Sequence, residues 1–184
     1  EKRIAFDVIE KLNIQSLDNL LEIGCGTGNI LIPLSFFSKN VVGIDNKNAI
    51  DKLLDRIKVE NLKGIVGDFL KINTANMGKF EKILIYSVLH YLPDKEALYF
   101  FIDKALSLLN KDGMLLLGDI PNVSLKERFL KSDSGKLFDK RWKQEVNKES
   151  ERAIFDSCDT FEFDDNGIFE LMQHIKNQGY KVYL

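Results

Sequence analysis

The sequence has little cysteine, little histidine and no excess of charge of one sign. Its two cysteines, Cys25 and Cys158, are too few for a secreted disulfide scaffold and lack metal-ligand spacing, so we expect a reduced, cytoplasmic setting and no metal site. The 26 basic and 28 acidic residues give a net charge of −2, which excludes global attraction to nucleic acid or to an anionic membrane. No apolar run is long enough to span a bilayer. We therefore predict neither a nucleic acid nor a membrane as a partner.

The length and composition fit one folded domain. A chain of 184 residues that is 45% hydrophobic can bury one sizeable core but is short for two. We therefore predict a single domain over residues 1–184. The chain starts at Glu1 rather than Met, and we expect further residues before it.

Short apolar segments alternate with amphipathic ones between residues 4 and 120. The apolar segments predict strands at 19–24, 40–45, 64–67, 83–86 and 114–117. Apolar residues at helical spacing predict helices at 4–12, 50–57 and 94–109. Continuous apolar strands that alternate with helices predict a Rossmann-like α/β fold with a mostly parallel sheet, whose ligands bind beyond the carboxyl ends of the strands.

A glycine turn directly follows the first predicted strand. Gly24, Gly26 and Gly28 stand at alternate positions, which lets the backbone pass close to a ligand. A dinucleotide fingerprint needs glycine at the sixth position, and Asn29 stands there. A P-loop needs a lysine and a hydroxyl residue after its last glycine, and Asn29-Ile30 supplies neither. The pattern therefore disfavours NAD and ATP and favours a ligand with a carboxylate.

Glu22, Gly24, Gly26 and Gly28 resemble the first motif of the class I S-adenosylmethionine-dependent methyltransferases. The resemblance covers residues 4–120 in order and spacing. It implies S-adenosyl-L-methionine as the cofactor, with the glycine loop and Glu22 around its methionine part. It also implies Asp45, which ends the second strand, for the ribose hydroxyls, and Asp68 with Phe69 for the adenine.

By this resemblance the predicted cofactor-binding residues are Glu22, Gly24, Cys25, Gly26, Thr27, Gly28, Asp45, Asn46, Asp68, Phe69 and Ser87. Each group also has a structural alternative. The glycines can form a plain tight turn, Asp45 can cap a helix, and Asp68 can be a turn residue. Cys25 can be buried filler.

The segment after the predicted fourth strand supplies a candidate base. A sulfonium is already activated, so the protein mainly aligns the acceptor and excludes water. If the acceptor is a hydroxyl, His90 is the predicted general base, with Tyr91 and Asp119 as lesser candidates. The alternative for His90 is a histidine at a helix entry that bonds only to backbone.

Residues 121–165 are too long for a simple connection, and we predict that they form an inserted helical lid. Ser124 to Glu127 has capping-box spacing, and Phe138, Trp142 and Val146 recur every four residues. Residues 124–143 hold seven basic and three acidic residues, which suggests a clamp for an anionic small-molecule acceptor, such as a sugar or nucleotide-sugar hydroxyl. The alternative is a solvated helical face with compensating charges.

Residues 180–184 predict a sixth strand. The methyltransferase resemblance implies a further antiparallel strand after it, which we expect to be missing from this chain. Two other function classes stay open, namely a non-catalytic partner subunit with this fold and an NAD-dependent oxidoreductase.

Overall fold

The computed structural model describes residues 3–145 and 161–184. The chain divides into two compact units, the first Glu1–Leu89 with Glu96–Ile120 and the second His90–Lys95 with Pro121–Leu184. The predicted lid, 121–165, belongs to the second unit together with the residues that follow it. A single domain with an inserted lid stays a prediction.

The first unit contains a five-stranded parallel sheet. Its strand order is β3-β2-β1-β4-β5, and every neighbouring pair is parallel. The strands are β1 (Asn19–Ile23), β2 (Asn40–Asp45), β3 (Leu62–Val66), β4 (Phe80–Tyr86) and β5 (Leu109–Gly118). This arrangement confirms the predicted Rossmann-like α/β class.

Four helices accompany this sheet, namely α1 (Ile4–Leu12), α2 (Leu31–Ser35), α3 (Lys47–Arg56) and α4 (Lys95–Ser107). The apolar stripe of α1 is buried at Val8 and Leu12, and α3 buries Leu53 in the same core cluster. Burial of such stripes, rather than helix propensity, supplies most of a helix's stability in a folded protein. The apolar spacing therefore located α1, α3 and α4, whereas α2 was not predicted.

The register of the strands aligns their carboxyl ends at one edge of the sheet. Ile23 of β1 lies opposite Ile44 of β2, and Tyr86 of β4 lies opposite Gly118 of β5. Ligands of open parallel sheets bind at this edge. The loops that follow β1, β2 and β4 all begin there.

Three helices form most of the described second unit, namely α5 (Val123–Lys131), α6 (Asp133–Glu145) and α7 (Asp165–Asn177). The prediction of helices within the insertion is confirmed for α5 and α6. The rings of Phe138 and Trp142 stack at 6.2 Å, one helical turn apart. Val146, the third member of the predicted stripe, lies outside the described residues.

The predicted capping box at Ser124 is wrong. Asn122, in extended conformation, caps α5, and its Oδ1 accepts the backbone N–H of Leu125 at 2.9 Å. Ser124 therefore lies inside the first turn, where its hydroxyl accepts the backbone N–H of Asp165 at 3.5 Å. An asparagine caps as well as a serine, so the helix starts earlier than the box spacing indicates.

The predicted sixth strand is also wrong, because residues 180–184 form no strand. Gly179, with φ of +92°, ends the segment after α7. Tyr183 and Leu184 are 84% and 96% exposed. An apolar pattern forms a strand only where a neighbouring strand pairs with its backbone groups, and no such pairing is present for these five residues.

Candidate active site

The glycine turn after β1 has the left-handed backbone that its sequence predicts. Gly24, Gly26 and Gly28 have φ values of +79°, +54° and +84°. A Cβ at Gly24 would lie 2.3 Å from Cγ2 of Val88, so this position has no room for a side chain. A Cβ at Gly26 would meet nothing within 4 Å. The turn therefore presents bare backbone to open space, which suits close approach of a ligand.

Asp45, the last residue of β2, bonds to this turn. Its Oδ2 accepts the backbone N–H of Gly26 at 2.7 Å, and its Oδ1 accepts the backbone N–H and the side-chain amide of Asn46, each at 2.7 Å. Asn46 rather than Asp45 caps α3, since its Oδ1 accepts the backbone N–H of Ala49 at 3.1 Å. The carboxylate of Asp45 thus faces the glycine turn and is not used as the helix cap.

Glu22 carries a buried carboxylate oxygen for which the described residues supply no hydrogen-bond partner. The residue is 2% exposed, and its Oε2 has no hydrogen-bond partner among residues 3–145 and 161–184. Burial, and then the charge of Asp45, raises the pKa of Glu22 well above its usual range. A ligand that brings a cationic N–H donor would satisfy this oxygen and favour its ionised form.

Glu22 and part of the glycine turn line a cleft of about 180 Å³ that we call the cofactor cleft, whereas Asp45 and Asn46 are not among its lining residues. Its lining residues are Glu22, Gly24, Cys25, Gly26, Thr27, Asn29, Ile30, Tyr86 and Ser87. Six of the predicted residues meet here, and Asn29, Ile30 and Tyr86 were not predicted as ligands. Their position in the sequence could have indicated that they line the cleft, because they directly follow the glycine turn or end β4.

Cys25 and Gly28 are both tightly packed, although Cys25 also lines the cleft. Cys25 is buried, and burial together with the charges of Glu22 and Asp45 raises the pKa of its thiol to about 12. Gly28 does not line the cleft, because a Cβ there would lie 2.2 Å from Cδ1 of Leu53. Gly28 therefore allows α3 to pack closely against the turn.

Asp68 and Phe69 follow β3 and do not line the cofactor cleft. Oδ1 of Asp68 accepts the backbone N–H of Leu70 at 3.0 Å, and Lys71 pairs with its Oδ2 at 3.0 Å. The hydrogen bond from Lys71 is the main cause that lowers the pKa of Asp68. The ring of Phe69 is 4% exposed and packs edge-on against Phe101. Adenine recognition by these two residues stays a prediction.

A second cleft, the α1 cleft, lies between α1 and the ends of β4 and β5. It has a volume of about 220 Å³ and is lined by Ile4, Asp7, Val8, Lys11, Tyr86, Leu116, Leu117, Gly118 and Asp119. Tyr86 lines both clefts, and the hydroxyl of Ser87 donates to Asp119. Burial, and then Asp119 and Asp7, raises the pKa of the Tyr86 phenol. The two clefts therefore share a wall.

His90 belongs to the second unit and lines neither cleft. It lies in a single 3-10 turn, Leu89–Tyr91. Its carbonyl accepts the backbone N–H of Phe161 at 2.8 Å, and its ring centroid lies 4.1 Å from that of Tyr91. The predicted role of His90 as a base stays a prediction.

Residues 3–145 and 161–184 lack two further features. Within these ranges, no cluster of three or more histidine, cysteine, aspartate or glutamate side chains has an arrangement that could hold a metal ion. None of the helices in these ranges is both long and apolar enough to cross a membrane.

The sequence model of a methyltransferase domain family matches residues 14–179. The chain belongs to this family. Its membership confirms the predicted class I methyltransferase relationship and S-adenosyl-L-methionine as the predicted cofactor. The buried oxygen of Glu22, the open side of Gly26 and the carboxylate of Asp45 fit a cofactor with an ammonium group and hydroxyl groups.

Curated relatives cover part of the chain. A probable cobalt-precorrin-6B C(15)-methyltransferase (decarboxylating) of Methanococcus vannielii is 36% identical over 97 residues, which cover 47% of this chain and 53% of that protein. An uncharacterized methyltransferase of Bacillus cytotoxicus is 29% identical over 117 residues, 61% of this chain and 52% of that protein. The chain spans about half or less of the length of the curated relatives it matches.

Solved structures extend the likeness. The N-methyltransferase NodS from Bradyrhizobium japonicum, in complex with S-adenosyl-L-homocysteine, has 26% identity and a TM-score of 0.62, covering 70% of this chain and 66% of NodS. A putative methyltransferase from Bacillus halodurans has a TM-score of 0.67 at 14% identity, covering 98% of this chain and 70% of its own. That second likeness shows the fold alone, and it extends over both units.

Proposed function

We propose that this protein transfers a methyl group from S-adenosyl-L-methionine to a small-molecule acceptor. The observation that carries the proposal is the buried Oε2 of Glu22, which has no hydrogen-bond partner in the described part of the chain; Glu22 lines a cleft beside a left-handed glycine turn. Leaving such an oxygen unsatisfied costs about 1–3 kcal/mol. An ammonium group in the cofactor cleft supplies the missing donor.

Two parts of the cofactor have proposed binding residues in this site. The glycine turn and Glu22 would hold the methionine part, and Asp45 would exchange a backbone bond for the ribose hydroxyls. When bound, the cofactor supplies a methyl group that is already activated for attack. The chain then has to orient the acceptor toward that methyl group and exclude water.

The α1 cleft is the proposed acceptor site, because Tyr86 and the Ser87–Asp119 pair separate it from the cofactor cleft. Asp7, Asp119 and the phenol of Tyr86 line it together with apolar residues of α1 and β5, and Lys11 is its one basic lining residue. This chemistry suits a small amine with an apolar part. NodS is named an N-methyltransferase, which supports an amine acceptor here.

An anionic sugar or nucleotide-sugar hydroxyl is the second candidate acceptor. Its support is the basic half of the insertion, where Lys126, Lys140 and Arg141 are exposed. The other four basic residues of residues 124–143 pair with acidic groups, in the ion pairs Arg128–Asp165, Lys131–Glu127, Lys136–Asp133 and Lys143–Asp139. These pairs match the alternative of a solvated face with compensating charges, so we rank the anionic class second.

Calorimetry tests the cofactor half of the proposal. S-adenosyl-L-homocysteine should bind with a micromolar Kd, and NAD and ATP far more weakly. Equal or tighter binding of NAD would support the oxidoreductase alternative instead. Binding of the homocysteine product without turnover of any acceptor from a metabolite pool would support a non-catalytic partner subunit.

A matched charge series tests the acceptor half. In the presence of S-adenosyl-L-homocysteine, 2-phenylethylamine should perturb NMR signals of α1 and β5 more strongly than 2-phenylethanol or phenylacetate. Asp7→Asn should abolish the preference, while Asp55→Asn, an equal change of charge on the exposed face of α3, should preserve it. Preference for phenylacetate that disappears in Lys140→Ala/Arg141→Ala would establish the anionic class.

A further inference from the structure

Arg56, the last residue of α3, binds the outer side of the glycine turn. Its Nη1 donates to the carbonyl of Thr27 at 2.5 Å, to Oγ1 of Thr27 at 3.2 Å and to Oδ1 of Asn29 at 2.8 Å. Thr27 and Asn29 both line the cofactor cleft, and Arg56 does not. One side chain thus reaches, from outside the cleft, two residues that form its wall.

The turn needs such a restraint because its backbone has unusual freedom. Three glycines in five residues lose more conformational entropy on ordering than any other residues would. On its inner side the turn is held by the bond between Gly26 and Asp45. Arg56 supplies the hold on the outer side, from the opposite end of the helix that Asn46 caps.

We infer that Arg56 is a positioning residue for the cofactor, which acts through Thr27 and Asn29 and makes no contact with the ligand. This inference rests on the proposed function. The guanidinium keeps the two side chains and the Thr27 carbonyl in the geometry that the methionine part of the cofactor requires. Removing it leaves the turn to be ordered by the ligand itself, so the ordering cost is deducted from the binding free energy.

Because the three acceptor atoms converge on one nitrogen, a lysine can replace the arginine in part. A lysine ammonium offers three donors at a single atom, whereas the planar guanidinium usually serves as a two-pronged fork. A purely electrostatic role would also survive in Arg56→Lys, but it would be shared by other cations of α3. Lys52 is an exposed cation on the same helix and is therefore the matched control.

Calorimetric titration of the full chain with two ligands tests the inference. S-adenosyl-L-homocysteine carries the amino acid part, and 5′-deoxy-5′-methylthioadenosine lacks it. Arg56→Ala should raise the Kd of the first about 5- to 30-fold, the equivalent of losing one or two hydrogen bonds, and that of the second less than about 2-fold. Arg56→Lys should recover at least half of the loss on a logarithmic scale, and Lys52→Ala should change neither ligand.

Once an acceptor has been identified, steady-state kinetics give the second measurement. Arg56→Ala should raise the KM for S-adenosyl-L-methionine and leave kcat at saturating cofactor close to the unaltered value. Equal weakening of both ligands with a lower Tm would make Arg56 a general stabilising residue, and an unchanged Kd for S-adenosyl-L-homocysteine would also overturn the inference. If the unaltered protein fails to bind S-adenosyl-L-homocysteine, the proposed function falls and this inference falls with it.

Discussion

Two pairs of strand ends lie at the carboxyl edge of the sheet, and the residues that bond across them differ in type and in backbone conformation. At the ends of β1 and β2, Gly26 bonds to Asp45 within a turn of three left-handed glycines. At the ends of β4 and β5, Ser87 bonds to Asp119, and both are left-handed without being glycine, with φ of +56° and +52°. Gly26 of the first pair lines the cofactor cleft, whereas in the second pair Ser87 lines that cleft and Asp119 lines the α1 cleft.

The two pairs differ in how readily their residues adopt a left-handed backbone. A left-handed residue that carries a Cβ costs roughly 1–2 kcal/mol, whereas glycine adopts the conformation freely. Strained positions of this kind persist where surrounding contacts hold them, and they cluster at functional sites. The ends of β4 and β5, which we call the reaction side because Asp119 lines the proposed acceptor site, therefore carry strain that the ends of β1 and β2, the cofactor side, avoid.

The largest expected effect concerns His90, the predicted general base, which belongs to neither pair. If His90 takes a proton from the acceptor, His90→Ala should lower kcat by roughly 10²- to 10⁴-fold. Calorimetry with S-adenosyl-L-homocysteine serves as the control, and its Kd should be unchanged. Full turnover in the variant would assign His90 to the scaffold and leave the reaction to alignment alone.

The next effect breaks the cofactor-side pair. Asp45→Ala removes the acceptor of the Gly26 N–H and the proposed acceptor of the ribose hydroxyls, and should weaken cofactor binding by about 1–3 kcal/mol. The Kd of S-adenosyl-L-homocysteine measures this change. Asp119→Ala, the same change at the other pair, should affect that Kd much less, and equal losses would erase the distinction between the two sides.

The pH dependence of stability tests the buried carboxyl of the cofactor side. The pKa of Glu22 is raised in the folded protein, so the folded chain keeps this proton at pH values where the unfolded chain has lost it. The free energy of unfolding of the ligand-free protein should therefore fall as pH rises from the ordinary glutamate pKa to the raised one, by about 1.4 kcal/mol per pH unit.

Urea titrations between pH 4 and 8 measure this fall, and Glu22→Gln should remove it. The same variant should bind S-adenosyl-L-homocysteine more weakly and release fewer protons on binding. A stability profile that is identical in the variant would show that Glu22 titrates normally.

The smallest effect isolates strain on the reaction side. Ser87→Ala and Ser87→Gly both remove the bond to Asp119, but only glycine relieves the left-handed backbone. The glycine variant should be more stable than the alanine variant by about 1 kcal/mol, measured as the difference in the free energy of unfolding. Equal stabilities would mean that the loop relaxes and holds no strain.

The same contrast explains what the sequence could predict. Alternate glycines after an apolar strand are visible in the sequence, so the cofactor turn, Glu22 and Asp45 could be predicted. Ser87 and Asp119 have no such signature, because a serine or an aspartate fits most backbone conformations. The joint role of Tyr86 in both clefts depends on tertiary packing, which no local pattern encodes.

The errors have similar causes. Asn122 and Ser124 are both good helix caps, and local spacing could not decide between them. The apolar end at residues 180–184 matches a strand pattern, but strand formation depends on a neighbour distant in sequence.

Cys25 gives this cleft a chemical reporter. Its thiol is buried and its pKa is about 12, so thiolate is scarce at neutral pH and alkylation requires transient opening of the turn. In a Cys158→Ser background, the rate of Cys25 labelling by an alkylating reagent would count those openings directly. The frequency with which the glycine turn opens could thus be measured before any acceptor is known.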